Sequence, residues 1–277
     1  MRPTHSLACV LAALVLLAGC ERTAPERTGA VLPPDQIAQH AEAEVPRSPE
    51  EVIALQRLAA HRDWDQNRSA GDTVVHQLVG RHQLPEAGGQ QSTLLIYASR
   101  GSQHDCSACS PALSFFEFEP GQAGQAPRLV LADLAAVSLG YAGEAPKTRV
   151  QALGGDRYLV LLTWEAFAQG SSSQLFMLTP VKGRMREVFF EEIGASHTQV
   201  IDRDTTIEVE WETDYRFQPG PGPHLDLHLR RSFIKGRRWL LDPVRGPIAS
   251  ELTAQGQIPT ELVYRFDRQR MRLVKSR

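Results

Sequence analysis

The sequence contains none of the short motifs that mark the common nucleotide-dependent and metal-dependent enzymes. It has no phosphate-binding loop, no dinucleotide fingerprint, no H-E-x-x-H pair and no G-x-S-x-G nucleophile elbow. It also has no aromatic and basic module of the kind that binds nucleic acid, so we expect no nucleic-acid partner. The sequence leaves enzymatic activity open but favours a non-catalytic protein, and it predicts no cofactor and no metal.

Long apolar runs are also missing, except at the N-terminus. No run after residue 20 approaches the roughly 20 apolar residues that a membrane-spanning helix needs. The first twenty residues carry a positive charge at Arg2 and an apolar run from Leu7 to Leu17, followed by small residues. This arrangement is typical of a secretory signal peptide, which we assign to residues 1–19.

The end of this leader, Leu17-Ala18-Gly19-Cys20, resembles the lipobox of bacterial lipoproteins. The resemblance implies cleavage before Cys20, attachment of diacylglycerol to its sulfur and acylation of the new N-terminus. The alternative is an ordinary signal peptide that happens to contain a cysteine. Acyl chains anchor a protein firmly, since each buried methylene contributes about 0.8 kcal/mol. We therefore expect a lipid-anchored protein on the periplasmic side of the cell envelope, with the outer membrane favoured over the inner membrane.

Cysteine is scarce: of four in the sequence, the mature chain keeps the acylated Cys20 together with Cys106 and Cys109. Cysteine pairs in the periplasm are normally oxidised, so the motif C-S-A-C predicts a structural disulfide between Cys106 and Cys109. A redox role is one alternative, but it needs a helix at the first cysteine, and the residues that follow favour a strand. A copper or zinc site formed by His104, Cys106 and Cys109 is a further alternative.

The mature chain divides into three segments by composition. Residues 20–47 are rich in Ala, Glu, Pro and Arg, which predicts a flexible tether. Residues 48–91 form a helical and irregular segment, in which Ser48 is placed to cap a helix that runs from Pro49 to about His61. Residues 92–277 are predicted to form an antiparallel β domain.

About ten short strands with turn signals between them are predicted in this C-terminal segment. We therefore predict an all-β fold, an antiparallel meander that forms a sandwich or a partly open barrel, with one N-terminal helix. Residues 158–184 and 205–237 share the order strand, W-E, loop, strand and K-G-R, so a small propeller-like repeat is the alternative. The pattern resembles uncharacterised periplasmic lipoproteins of proteobacteria, a resemblance that implies no activity.

Charge is unevenly distributed along the chain. Residues 1–227 have a net charge of −10 and residues 228–277 a net charge of +8, which together give the formal net charge of −2. We favour the interpretation that basic residues neutralise acidic strands beside them, because opposite charges across neighbouring strands stabilise a sheet. The alternative is a basic surface that binds an anionic polymer of the envelope.

The one further candidate site is the alternating sequence His224, Asp226 and His228, whose spacing could hold a metal ion on one face of a strand. We favour a solvent-facing role for these residues, because leucines occupy the positions between them. The sequence thus predicts a lipid-anchored cell-envelope lipoprotein, a non-catalytic binding or assembly module of unknown ligand, with an envelope protein or an anionic polymer as its partner. The alternative is an envelope redox or metal-binding protein that uses the Cys106/Cys109 loop.

Overall fold

The computed structural model describes residues 48–61, 73–84, 91–101, 110–122, 125–154, 157–167, 170–202, 205–242, 246–251 and 261–276. These residues form an all-β fold with one helix, as the sequence predicts. The elements are helix α1 (Pro49–Ala59) and strands β1 (Val74–Gln83), β2 (Thr93–Gly101), β3 (Ala112–Glu119), β4 (Arg128–Ser138), β5 (Lys147–Gly154), β6 (Arg157–Phe167), β7 (Gly170–Val181), β8 (Arg184–Asp202), β9 (Thr205–Pro219), β10 (Leu225–Asp242), β11 (Gly246–Glu251), β12 (Glu261–Asp267) and β13 (Arg272–Lys275).

Helix α1 begins where the sequence predicts. The side-chain oxygen of Ser48 accepts a hydrogen bond from the backbone N–H of Glu51 at 3.3 Å, and a proline occupies the first turn. Ala54 and Leu58, which lie four residues apart on one face, are fully buried. The helix ends at Ala59, shortly before the predicted end. No helix in the described part of the chain is long and apolar enough to cross a membrane.

The strands form two antiparallel sheets. One has four strands in the order β1-β2-β3-β4, and the other has nine in the order β13-β12-β10-β9-β8-β7-β6-β5, with β11 beside β10. Successive strands pair along most of both sheets, so the predicted antiparallel meander is confirmed. The sheets are not closed into a barrel, and they pack face to face as a sandwich.

The propeller alternative is wrong, because the repeated K-G-R motif has two different structures. In the first copy, Lys182 and Gly183 form the two-residue turn between β7 and β8, with positive φ angles of 52° and 79°. In the second copy, Lys235-Gly236-Arg237 lies inside β10, next to a bulge in its pairing with β9. A similar sequence order therefore does not give two similar structural units.

Two hydrophobic clusters lie on opposite faces of β6 and β7. Ile96 and Phe115 of the four-stranded sheet pack with Val160 and Phe176 between the sheets. The nine-stranded sheet curves, so that its C-terminal strands pack against the other face, where Leu161 is buried. The apolar run in β6 is therefore buried on both faces. Helix α1 covers the outer face of the four-stranded sheet in a third cluster.

The basic C-terminal segment lies beside the acidic strand β9. In the backbone register, three basic positions of β10 are paired with acidic positions of β9: Arg230 with Asp214, Lys235 with Glu210, and Arg237 with Glu208. This register favours the interpretation that basic residues neutralise the neighbouring acidic strand, which stays a prediction.

Three strands were not predicted. Strand β1 lies before residue 92, where we expected the β domain to begin, and its pairing with β2 is interrupted by a bulge between Leu78 and Gly80. The bulge breaks the alternation of apolar and polar residues from which a strand is recognised. Strands β5 and β11 are edge strands with few apolar residues, so their sequences lack a strong strand signal.

Candidate functional site

The predicted site cysteines lie outside the described part of the chain. Cys20, Cys106 and Cys109 fall outside the described residues, as does His104, so lipidation and the disulfide stay predictions. The strands on either side of the C-S-A-C motif, β2 and β3, are described, and they pair with each other antiparallel. The motif therefore falls in the sequence between these two strands.

Two members of the candidate trio, His224 just before β10 and Asp226 within it, are not solvent-facing, which corrects the favoured sequence interpretation for these two. The exposed fraction is only 7% for His224 and 6% for Asp226. The proline-glycine turn folds back over this face, so closely that a Cβ atom on Gly220 would lie 2.4 Å from the carboxyl group of Asp226. The aromatic ring of Phe266, from β12, covers His224 edge-on at 5.4 Å between centroids. Phe266 belongs to a hairpin about forty residues further along the chain, so the sequence around His224 does not show that this residue is buried.

His224 accepts a hydrogen bond from an arginine. Nε of Arg268 donates to Nε2 of the imidazole at 2.8 Å, so the ring proton belongs on Nδ1. Nδ1 is buried and makes no hydrogen bond of regular geometry. Burial lowers the pKa of His224, and the charges of Arg268 and Arg157 lower it further, while backbone groups of Gly154 and Leu153 act in the opposite sense. The imidazole is therefore neutral at pH 7.

The other two members of the trio have different partners. Nε of Arg265 lies 3.2 Å from Oδ2 of Asp226, a buried carboxylate paired with a half-exposed guanidinium. Nδ1 of His228 lies 3.3 Å from Oε1 of Glu261. Nowhere in the described residues do three His, Cys, Asp or Glu side chains meet in a group that could hold a metal ion. The trio thus belongs to three separate contacts, and a metal site there is not supported.

Two arginines at this end of the domain have no carboxylate partner within the described ranges. Arg268 donates to the neutral His224, and Arg157 donates to the sulfur of Met271 at 3.7 Å. The guanidinium of Arg157 also lies 5.8 Å from the ring centroid of Phe266. Phe266 in turn packs against His224, so the two arginines contact two rings that touch each other. This arrangement has spare N–H donors and positive charge, the properties that an oxyanion requires.

A second feature is an aromatic patch, formed by Trp164, Phe176 and Phe190 on neighbouring strands β6, β7 and β8. The rings of Trp164 and Phe190 are nearly parallel, with an angle of 7° and 6.3 Å between centroids. Phe176 is buried beside Phe190, at 5.9 Å between centroids, whereas Phe190 is 53% exposed. Nε2 of Gln174 donates to Oε2 of Glu192 at 3.2 Å at the border of the patch.

Two polar pairs join the sheets, and neither was found from the sequence. The hydroxyl of Tyr158 donates to Oε2 of Glu117 at 2.8 Å. Nε2 of His82 lies 2.7 Å from Oγ1 of Thr148. Burial raises the pKa of Glu117, an effect that the Tyr158 hydrogen bond opposes. Burial lowers the pKa of His82. The sequence contains one signal for the first of these pairs, which is Glu117 at an inward-facing position of the run F-F-E-F-E.

Comparison of the chain with family models, curated proteins and solved structures finds no match.

Proposed function

We propose that the chain is a lipid-anchored cell-envelope lipoprotein whose β domain is a non-catalytic binding or assembly module. The observation that carries the proposal is the aromatic patch on the nine-stranded sheet. The lipobox-like leader supports the anchor, and the outer membrane is the favoured location. The proposed partner at the patch is another protein of the envelope.

The exposure of Phe190 supports a binding role. A large aromatic side chain that is half exposed leaves apolar area in contact with water, and burial of that area contributes about 25 cal/mol for each Å². Trp164 stacks against it, so the two rings present one rigid surface that loses little conformational freedom on binding. Aromatic side chains dominate the energetics of protein interfaces for this reason.

The polar groups beside the patch support a protein partner. Gln174 donates to both Ser172 and Glu192, so these side chains are held in place before any partner arrives. An apolar centre with a polar border is the usual composition of a protein–protein interface.

A photo-crosslinking experiment in cells tests this proposal. Phe190→benzoylphenylalanine in the full-length chain should give a covalent adduct with an envelope protein. The matched control is Glu165→benzoylphenylalanine, because Glu165 is exposed and follows Trp164 on the opposite face of β6. Trp164→Ser should weaken the adduct formed from position 190. Mass spectrometry of the same purified sample should find an acylated N-terminus at Cys20.

Two outcomes would contradict the proposal. Equal labelling from positions 190 and 165, or none from either, would rule out the patch as a specific interface. An intact initiator methionine without acyl mass would rule out the lipid anchor.

A further inference from the structure

Two arginines of the β12–β13 hairpin donate through Nε, one to Asp226 in β10 and the other to His224 just before it, and only the first arginine has its charge compensated. Arg265 donates from Nε to the carboxylate of Asp226, and Arg268 donates from Nε to the imidazole of His224. The first contact is an ion pair, so the charge of Arg265 is compensated. The second partner is neutral, so the positive charge of Arg268 is not.

A second uncompensated charge lies close to the first. Arg157, at the start of β6, has the sulfur of Met271 and the ring of Phe266 as its contacts in the described part of the domain. Neither contact carries a negative charge. The ring of Phe266 links the two arginines, because it lies 5.8 Å from the guanidinium carbon of Arg157 and 5.4 Å, between centroids, from the imidazole that Arg268 contacts. Like charges at short range repel each other unless an anion lies between or beside them.

The contact with His224 also fixes the direction of Arg268. Because Nε is used by the imidazole, the two terminal nitrogens of this guanidinium remain as donors, and these present the forked edge that matches a phosphate group. His224 itself is 93% buried, since its exposed fraction is 7%.

We propose that Arg157 and Arg268 form a binding site for a phosphate group, with His224 as the positioning residue that orients Arg268 without neutralising it. This inference rests on the proposed function, because it names a ligand class for the binding domain. The site is formed by the start of β6 and the β12–β13 hairpin, and it does not include the aromatic patch. The two proposals can therefore fail separately.

The chemistry does not distinguish a free phosphate from the phosphate of a lipid headgroup, and the test includes both. The probes are inorganic phosphate and dihexanoylphosphatidic acid below its micelle concentration, added to the detergent-solubilised full-length protein. Isothermal titration calorimetry measures binding, with chloride at matched ionic strength as the blank. Binding of both probes assigns the site to the phosphate group alone. Binding of the lipid probe only assigns it to a headgroup.

Four substitutions make the test specific. Arg268→Gln should weaken binding at least about tenfold, since it removes a charge-assisted bidentate contact. Arg265→Gln is the matched control and should leave binding unchanged, because that arginine is already paired. His224→Asp should weaken binding like Arg268→Gln, since a carboxylate there would neutralise Arg268. His224→Gln keeps a neutral acceptor and should retain binding.

Three results would overturn the proposal. The first is no binding of either probe to the wild-type chain above the chloride blank. The second is equal weakening by Arg265→Gln and Arg268→Gln, which would mean that only overall charge matters. The third is full binding by His224→Asp. Thermal unfolding of each variant checks that it folds, and Arg157→Gln, which should also weaken binding, replaces Arg268→Gln if that variant does not fold.

Discussion

Strands β6 and β7 differ sharply from strands β9 and β10, although all four belong to one antiparallel sheet. The first two lie between other layers, with the four-stranded sheet on one face and the curved C-terminal strands on the other. Their central residues are apolar without interruption. In β9 and β10, basic and acidic residues are paired at several positions of the backbone register. The number of layers that cover a strand therefore decides whether its sequence is continuous or alternating.

The largest loss of stability is expected from substitutions in β6 and β7, the strands that are covered on both faces. Leu161→Ala in β6 should lower the free energy of unfolding by about 3 kcal/mol, because it leaves a cavity in a core where the leucine is 1% exposed. Glu212→Ala on the exposed side of β9 should change it by less than about 0.5 kcal/mol. Urea denaturation followed by circular dichroism measures both. Equal losses would contradict the distinction between the two pairs of strands.

A smaller loss of folding stability is expected on acidification, because two histidines with lowered pKa values lie at contacts between strands. His82 joins β1 to β5, and His224 lies under the C-terminal hairpin. An imidazole whose pKa is lower in the folded chain takes up its proton mainly on unfolding. Its contribution to stability is complete above the unfolded value of about 6.5 and is lost as the pH falls below that value.

The measurement is the urea midpoint between pH 7.5 and pH 5.5. The wild-type midpoint should fall over this range, and the fall should be smaller in His224→Gln. Glu117 acts in the opposite direction, since burial raises its pKa, but it is common to both proteins and cancels in the difference. Identical pH profiles would show that His224 does not titrate between the folded and unfolded states.

The smallest effect is expected from the charge pairs of β9 and β10. Arg230→Asp places two negative charges opposite each other at Asp214 and should cost about 0.5 kcal/mol of stability. The double variant Arg230→Asp with Asp214→Arg restores the opposite signs and should recover most of the loss. A double-mutant cycle at low salt measures the coupling, which 1 M salt should abolish. A coupling of zero would mean that the register alone, without the charges, determines this pairing.

The sequence predicted the features that depend on neighbouring residues. The cap at Ser48 was predicted from its local sequence and is confirmed. Turn signals are equally local at Lys182 and Gly183 and in the β9–β10 and β12–β13 hairpins, and the structure has a turn at each of these places. The all-β class follows from them.

The features that depend on distant residues were missed or wrong. His224 and Asp226 are buried by a turn and by a hairpin that begins at Glu261, and the Tyr158–Glu117 contact joins residues 41 positions apart. No periodicity in β10 or β3 encodes those partners. Local patterns specify which faces a strand offers, whereas the curvature of the sheet decides what covers them.

The bulge at Gly80 has a consequence for association between copies of the chain. A Cβ atom at this position would lie 2.4 Å from Oγ1 of Thr148, so only glycine lets the outermost strand of one sheet approach the outermost strand of the other. Unpaired strand borders are templates on which foreign chains add. In this fold β1 and β5 cover each other's unpaired edges. A larger side chain at position 80 would therefore expose both edges and favour aggregation.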